Sequence, residues 1–438
     1  MKFQASKGTY DVMPDQVHVW QHLETVIREQ ARLYGFREIR TPVFEDTALF
    51  VKGTGDTTDI VQKEMYTFTD KGQRSITLRP EGTPPVLRAL IEHNSLKEQP
   101  YIKVFYLAPM FRYERPQAGR MRQHTQFGAE FIGTDSPVAD VEAISLLFFT
   151  LQKLGLGGLS LRLNSLGCAQ CRPTYRQKLM EYFKPMLPGL CDNCRERYDR
   201  NPLRILDCKI DQGKFMNAPE MKDFLCGDCR VHFQTVQDRL KDLEIPFTLD
   251  KNLVRGLDYY TRTAFEVVSQ HLGAQDALGG GGRYDGLMEE LGGDPAPGVG
   301  FGSGLERYVL ALKNQGVNLP PEKRPDVYIA TLGDEAVKKG SLLCAQLRQK
   351  GLACEQELLG RSLKAQLREA GRLNARYVAL IGEDEISKGV VTLKDMDKHQ
   401  QAEVAFDELV INVPKYCQCD LQGDHYPRNT RNSLNNIL

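Results

Sequence analysis

No stretch of this 438-residue chain approaches the eighteen or more consecutive apolar residues of a membrane span, so no transmembrane helix is expected. The opening Met1-Lys2-Phe3-Gln4-Ala5-Ser6 lacks the apolar core of a secretory leader, which makes the cytosol the expected compartment. Neither charge sign is in excess: 57 basic residues face 57 acidic ones. That balance excludes a polycationic protein but leaves room for a basic patch on a neutral one. The Walker pattern G-x-x-x-x-G-K-[ST] is missing, and Ser303 stands where a dinucleotide-binding G-x-G-x-x-G would need its third glycine. Internal repeats are also lacking. What remains, at 41% apolar and 26% charged, is a globular chain long enough for two or three domains.

Hydrophobic periodicity divides the chain. A helix is expected over Val17–Tyr34, stopped by Gly35, followed by a strand over Phe36–Arg40. Residues 53–58 read as a polar loop, with strands at Met65–Thr69 and Ser75–Arg79 and a helix from Thr83 to Asn94. Further strands are expected at Ile102–Tyr106, Met110–Glu114, Gln123–Ile132 and Ser160–Leu166, with a helix at Val138–Leu154. Residues 167–245 are cysteine-rich and mostly helical, an insertion into a larger domain covering 1–318. The proline-bearing stretch 319–325 reads as a linker. Beyond it, strand–helix alternation over 326–413 predicts a small α/β domain, and 414–438 a polar, irregular tail.

Two constellations point to phosphate chemistry. Phe111-Arg112-Tyr113-Glu114, a loop with Gln117 and Arg120, and the strand from Gln123 form a hairpin rich in guanidinium groups, whose planar forks suit phosphate oxygens. In Gly300-Phe301-Gly302-Ser303-Gly304, alternate glycines strip one face of a strand so that a flat ligand can lie against it. Arg307 then falls in the first turn of the next helix.

Seven of the eleven cysteines lie between Cys168 and Cys229. Cys168-x-x-Cys171 and Cys191-x-x-Cys194, 19 residues apart, have zinc-ribbon spacing and together make one tetrahedral set for a structural Zn²⁺. Cys208, Cys226 and Cys229 add three more thiols than one such site uses, so the choice of four stays open.

The arginine hairpin and the glycine strand with its arginine helix resemble the second and third motifs of class II aminoacyl-tRNA synthetases. The strand ending at Pro42 resembles the first, which in that family lies at a dimer interface. The class I signatures H-x-G-H and K-M-S-K-S are absent. Leu253–Thr263, Gly281–Gly286 and Arg79-Pro80-Glu81-Gly82-Thr83 are similar to segments of histidyl-tRNA synthetases of bacterial type. The resemblance implies an α+β catalytic domain on an antiparallel sheet, the helical insertion, and a C-terminal α/β anticodon-binding domain. It implies a homodimeric ligase that activates L-histidine with ATP and Mg²⁺ and charges tRNA(His).

By the same resemblance, Arg112 and Arg255 grip the α-phosphate, while Glu114, His124, Gly302, Gly304 and Arg307 bind ATP, His124 standing where many relatives carry an aromatic residue. Glu81, Gly82, Thr83 and Gln126 would receive the α-amino group, and Glu130 with Tyr259 or Tyr260, beside Tyr284, the imidazole. Gln117 and Arg120 would face the acceptor stem. Arg361, Lys364 and Arg368, with Arg372 and Arg376, would form a basic helical stripe for RNA. The alternative is a histidine-binding regulatory paralogue; such proteins lose the ATP-side arginines and the anticodon domain, which this chain keeps.

Overall fold

The computed structural model describes residues 3–55, 58–208, 210–254, 256–272 and 276–419. Two compact units divide between Pro320 and Pro321. The first is organised on an eight-stranded sheet. Its six central strands are antiparallel, in the order Ile102–Phe111, Gln123–Ile132, Gly298–Gly304, Ala277–Arg283, Thr261–Ser269, Leu159–Ser165. A short parallel strand closes each edge, Arg37–Glu38 at one and Phe247–Leu249 at the other. The α+β class is the one expected, with these two parallel exceptions.

Alternation along the strands sorts the side chains. One face sends Phe105, Phe127, Phe265 and Phe301 into a core shared with the helices Pro14–Leu33, Pro137–Lys153 and Leu305–Gln315. The other face is set by register: Glu130 pairs with Gly300 and Gly300 with Gly282, while Tyr106 pairs with Gly128 and Gly128 with Gly302. The site lies on this second face.

Two local expectations change. The first hairpin strand runs unbroken from Ile102 to Phe111 rather than as two pieces. It ends there because the Tyr113 N–H turns away to the Glu64 carbonyl and that of Glu114 to Arg112. Gly53 and Thr54 close the helix Thr47–Thr54, capped by Asp46 on the Ala48 N–H, instead of opening a loop. Tyr66–Thr69, Ser75–Leu78 and Phe44–Asp46 form a separate three-stranded sheet.

The second unit holds a five-stranded sheet. Cys354–Gln356, Val327–Thr331 and Tyr377–Ile381 are parallel, and a hairpin, Val390–Asp395 with Gln400–Ala405, adds two antiparallel strands. The expected irregular tail from 414 instead begins inside a helix, Phe406–Cys419, because Leu409 and Val413 are buried on the sheet. Residues 420–438 of that expectation lie outside the described residues. Among the described residues, no helix is long and apolar enough to cross a membrane.

Candidate active site

Glu130 is fully buried at the centre of the sheet face. Its carboxylate accepts the hydroxyls of Thr83 at 2.8 Å, Tyr106 at 3.4 Å and Tyr284. Burial pushes its carboxyl up to about 8, against these hydrogen bonds, which favour the anion. Glu81, also buried, accepts Thr54 at 2.5 Å and Tyr259 at 2.9 Å. Burial raises its pKa, and the Thr54 bond and the Arg112 charge oppose that rise.

The tyrosines are distributed differently from the sequence expectation. Tyr259 serves Glu81 instead of Glu130, and Tyr260 packs against it with ring centroids 4.7 Å apart. The partners of Glu130 are Tyr284, which was singled out, and Tyr106, which was not. Missing Cβ atoms make this possible: one on Gly298 would lie 2.3 Å from the Tyr284 ring, and one on Gly82 2.2 Å from that of Tyr106. Gly82 is therefore a spacer that seats Tyr106. In sequence, Tyr106 looks like any strand aromatic. Thr54 was likewise hidden.

The strand glycines also make room for protein side chains. A Cβ on Gly300 would lie 1.9 Å from the Glu130 carboxylate, and one on Gly302 2.3 Å from the Gln126 amide nitrogen. The stripped strand thus lets two neighbouring side chains lie flat. Gly304 alone of the three stays open, with nothing nearer than 3.9 Å to its Cβ position. The Gln126 Oε1 is buried without a hydrogen-bond partner among the described residues, an acceptor left for a ligand.

Around this pocket the cations gather. Arg112 donates through Nε to the Pro80 carbonyl at 2.8 Å, which fixes it beside Glu81, and its Nη1 lies 3.9 Å from Glu114. His124 is pushed down to about 3, first by burial and then by the Arg112 charge, so its ring is neutral at physiological pH. Glu114 also lies 3.5 Å from Arg120. Arg307 donates to the Ala277 carbonyl at 2.5 Å, and its pKa is lowered by burial and by neighbouring Arg120. Gln117 is exposed and bridges backbone-to-backbone with Arg120. Arg255 lies outside the described residues. Just after it, Arg204 holds the Gly256 carbonyl at 2.7 Å, and the Asp258 N–H reaches Thr54, the residue on Glu81.

Two further expectations are corrected. Cys168, Cys171, Cys191 and Cys194 do not form one set. Cys168 and Cys171 meet Cys226 and Cys229, whereas Cys191 and Cys194 meet Cys208 and Asp211. Helices begin at Arg172, directly after the second cysteine of one pair, and at Asp192, directly after the first cysteine of the other, and carry the pairs into different corners of the insertion. In the second unit, Arg361 is not on the helix of the supposed stripe, which spans Leu363–Arg372. It is neutralised by Glu357 at 2.8 Å, and Arg372 is paired with Glu369. Lys364 and Arg368 remain exposed, with no ion pair among the described residues.

Residues 8–171 and 216–308 match the family described as histidyl-tRNA synthetase, and 326–416 match the anticodon binding domain. The chain is 51% identical over 410 residues to a histidine–tRNA ligase of Desulforamulus reducens, covering 93% of this chain and 98% of that one. It is 48% identical over 412 residues to one of Acetivibrio thermocellus, covering 94% and 99%. The crystal structure of the apo histidyl-tRNA synthetase of S. aureus superposes with a TM-score of 0.82 at 37% identity, over 94% of this chain and all of that one. With its fold, its paired buried carboxylates and its ring of arginines, the chain belongs to the histidyl-tRNA synthetase family.

Proposed function

We propose that this chain is a histidine–tRNA ligase acting in two steps. The histidine carboxylate oxygen attacks the α-phosphorus of ATP, a C–O–P linkage forms and pyrophosphate leaves. A hydroxyl at the 3' end of tRNA(His) then attacks the carbonyl carbon, passes its proton to the departing phosphate side, and AMP leaves. The observation that carries this reading is the pair of hydroxyl-clad buried carboxylates, Glu130 and Glu81, beside Arg112.

Glu130 holds the imidazole, since a buried carboxyl titrating at about 8 pairs with a ring that itself titrates near ~6.5. Glu81, Thr83 and the free Gln126 acceptor receive the α-ammonium. Arg112 and Arg255 offset the repulsion between carboxylate and α-phosphate, stabilising the charge that develops at phosphorus. Neutral His124 stacks on adenine, and Arg307 binds the far phosphates past the open ledge at Gly304. Glu266, in the register row of Gly280 and Gly302 and 3.5 Å from Arg162, is the carboxylate that would help hold Mg²⁺, which would supply positive charge to the outer phosphates of ATP. The ligase works in the cytosol as a homodimer. Exposed Val43, Phe44 and Phe68, next to the segment resembling the family's dimer motif, support that association. Retention of Arg112 and Arg307, with the anticodon-type domain, favours the ligase over a regulatory paralogue.

Purified protein is expected to exchange pyrophosphate into ATP only when histidine is present. Arg112→Ala should lower that exchange by roughly 10²–10³ while histidine still binds. Exchange driven by another amino acid, or by none, would refute the assignment.

A further inference from the structure

The insertion contains two clusters of donor atoms that the ligase chemistry does not use. In the first, Cys168, Cys171, Cys226 and Cys229 place their sulfurs within 4.8 Å of one another, with Cys168 3.5 Å from Cys171 and 3.9 Å from Cys226. In the second, Cys191, Cys194, Cys208 and Asp211 do the same, with Cys191 3.6 Å from Cys208 and the Cys208 sulfur 3.8 Å from an Asp211 oxygen. A single zinc bound to four thiolates at about 2.3 Å in a tetrahedron sets its sulfurs about 3.8 Å apart. The sulfur–sulfur separations of 3.5, 3.6 and 3.9 Å bracket that value. A disulfide would bring one pair to about 2.0 Å and leave the other two sulfurs idle. An iron–sulfur cube, holding each cysteine on a different iron, needs a wider cage.

We propose that the insertion binds two zinc ions, one in a four-thiolate centre at Cys168, Cys171, Cys226 and Cys229, the other in a three-thiolate, one-carboxylate centre at Cys191, Cys194, Cys208 and Asp211. The sequence contains the logic of the second site. Cys208-Lys-Ile-Asp211 repeats the spacing of the three C-x-x-C pairs, with a carboxylate in place of the last thiol. Asp211 is buried, and Lys214 at 2.7 Å holds its other oxygen, so its orientation is fixed from outside the centre. At the first site the Cys226 N–H donates to the Cys171 sulfur at 3.2 Å, a bond that stabilises a thiolate. In each centre the second pair adds to the first from a different helix or turn, and Cys171, Cys194, Cys208 and Cys229 are all buried. Neither centre keeps an open position for substrate. Both are structural.

The surrounding fold needs such staples. Between its three longer helices, Arg172–Phe183, Asp192–Arg200 and Gly227–Asp242, the insertion consists of single turns such as Pro202–Ile205 and Met221–Phe224. Its small core is built around the cysteines themselves. Both centres brace the pocket. Arg172, next to Cys171, holds the Tyr260 carbonyl. Asn201 and Arg204, between Cys194 and Cys208, hold Asp258 at 2.8 Å and Gly256 at 2.7 Å, the chain leaving Arg255.

Full-length protein, expressed with zinc supplied and purified without chelator, should carry two zinc ions per chain by elemental analysis. Organomercurial titration should release both as the seven ligand thiols, of eleven cysteines in the chain, react. Cys226→Ser and Cys208→Ser should each retain one ion. Reloaded with ¹¹³Cd²⁺, the wild type should show two resonances, the four-sulfur one further downfield, and Cys208→Ser should lose the other. Fewer than two ions in the wild type, or loss of both from either variant while it remains folded, would overturn the proposal. The wild-type count decides even if a variant fails to fold.

Discussion

Glu130 shows how one side chain couples recognition to stability. Its native carboxyl titrates at about 8, whereas an unfolded glutamate titrates near ~4.3, so between these values the folded protein holds a proton that the unfolded chain has released. Stability attributable to Glu130 therefore falls as pH rises through this window and is lowest above about 8. Buried Glu306, raised to about 7, adds a similar slope ending at lower pH. Glu130→Gln removes the first contribution. Its melting temperature should exceed that of the wild type by several degrees at pH 8, on the order of 3 kcal/mol, and by much less at pH 5. The same variant should raise the KM for histidine by roughly tenfold or more, because the imidazole loses its proton-sharing partner. Melting curves at both pH values and pyrophosphate-exchange kinetics check this; a gain independent of pH would mean that the carboxyl is not strained by burial. Residue types were legible at this scale, since a carboxylate and hydroxyls in named segments are written in the chain. Which hydroxyl meets which carboxylate was not legible. Tyr259 and Tyr284 are close in three dimensions, with rings 5.8 Å apart, yet one reaches Glu81 and the other Glu130.

At the scale of elements, the glycine strand Gly298–Gly304 and its neighbour Ala277–Arg283 divide into positions that carry the fold and positions that carry the site. A Cβ on Gly281 would lie 1.9 Å from the Gly300 carbonyl oxygen and 2.6 Å from the Phe301 Cα, backbone atoms fixed by the ladder. One on Gly302 meets the far end of Gln126, which can swing aside. Gly281→Ala should therefore yield little folded protein. Gly302→Ala should melt within about 3 °C of the wild type but raise the KM for histidine several-fold, by displacing the Gln126 acceptor. A rise confined to the KM for ATP would return Gly302 to the nucleotide side. The spacing G-x-G-x-G reveals a bare strand face, but not which neighbour fills it. The cysteines teach the same lesson. Three C-x-x-C pairs and one C-x-x-D pair can combine in three ways, and only the turn of each following helix selects among them.

On the scale of the whole chain, the two units have separate cores. The second packs both faces of its five-stranded sheet with its own residues, Val327, Ile329 and Leu347 on one side, Tyr328, Val378 and Ala370 on the other. Every residue assigned to adenylate formation lies in the first unit, before Pro320. A protein ending at Pro320 should thus fold and exchange pyrophosphate within about threefold of the full chain, since no side chain of that reaction is removed. Charging of tRNA(His) should fall by roughly 10² or more, because the anticodon-type domain, with its exposed Lys364 and Arg368, is lost. Lys364→Glu with Arg368→Glu in the intact chain should reproduce part of that loss, and the remaining binding should weaken less steeply with salt, as two fewer phosphate contacts are made. Filter binding across a salt series, run beside the exchange assay, separates the outcomes. If truncation abolished exchange as completely as charging, the second unit would be part of the activation machinery, and the division of labour at Pro320 would be wrong.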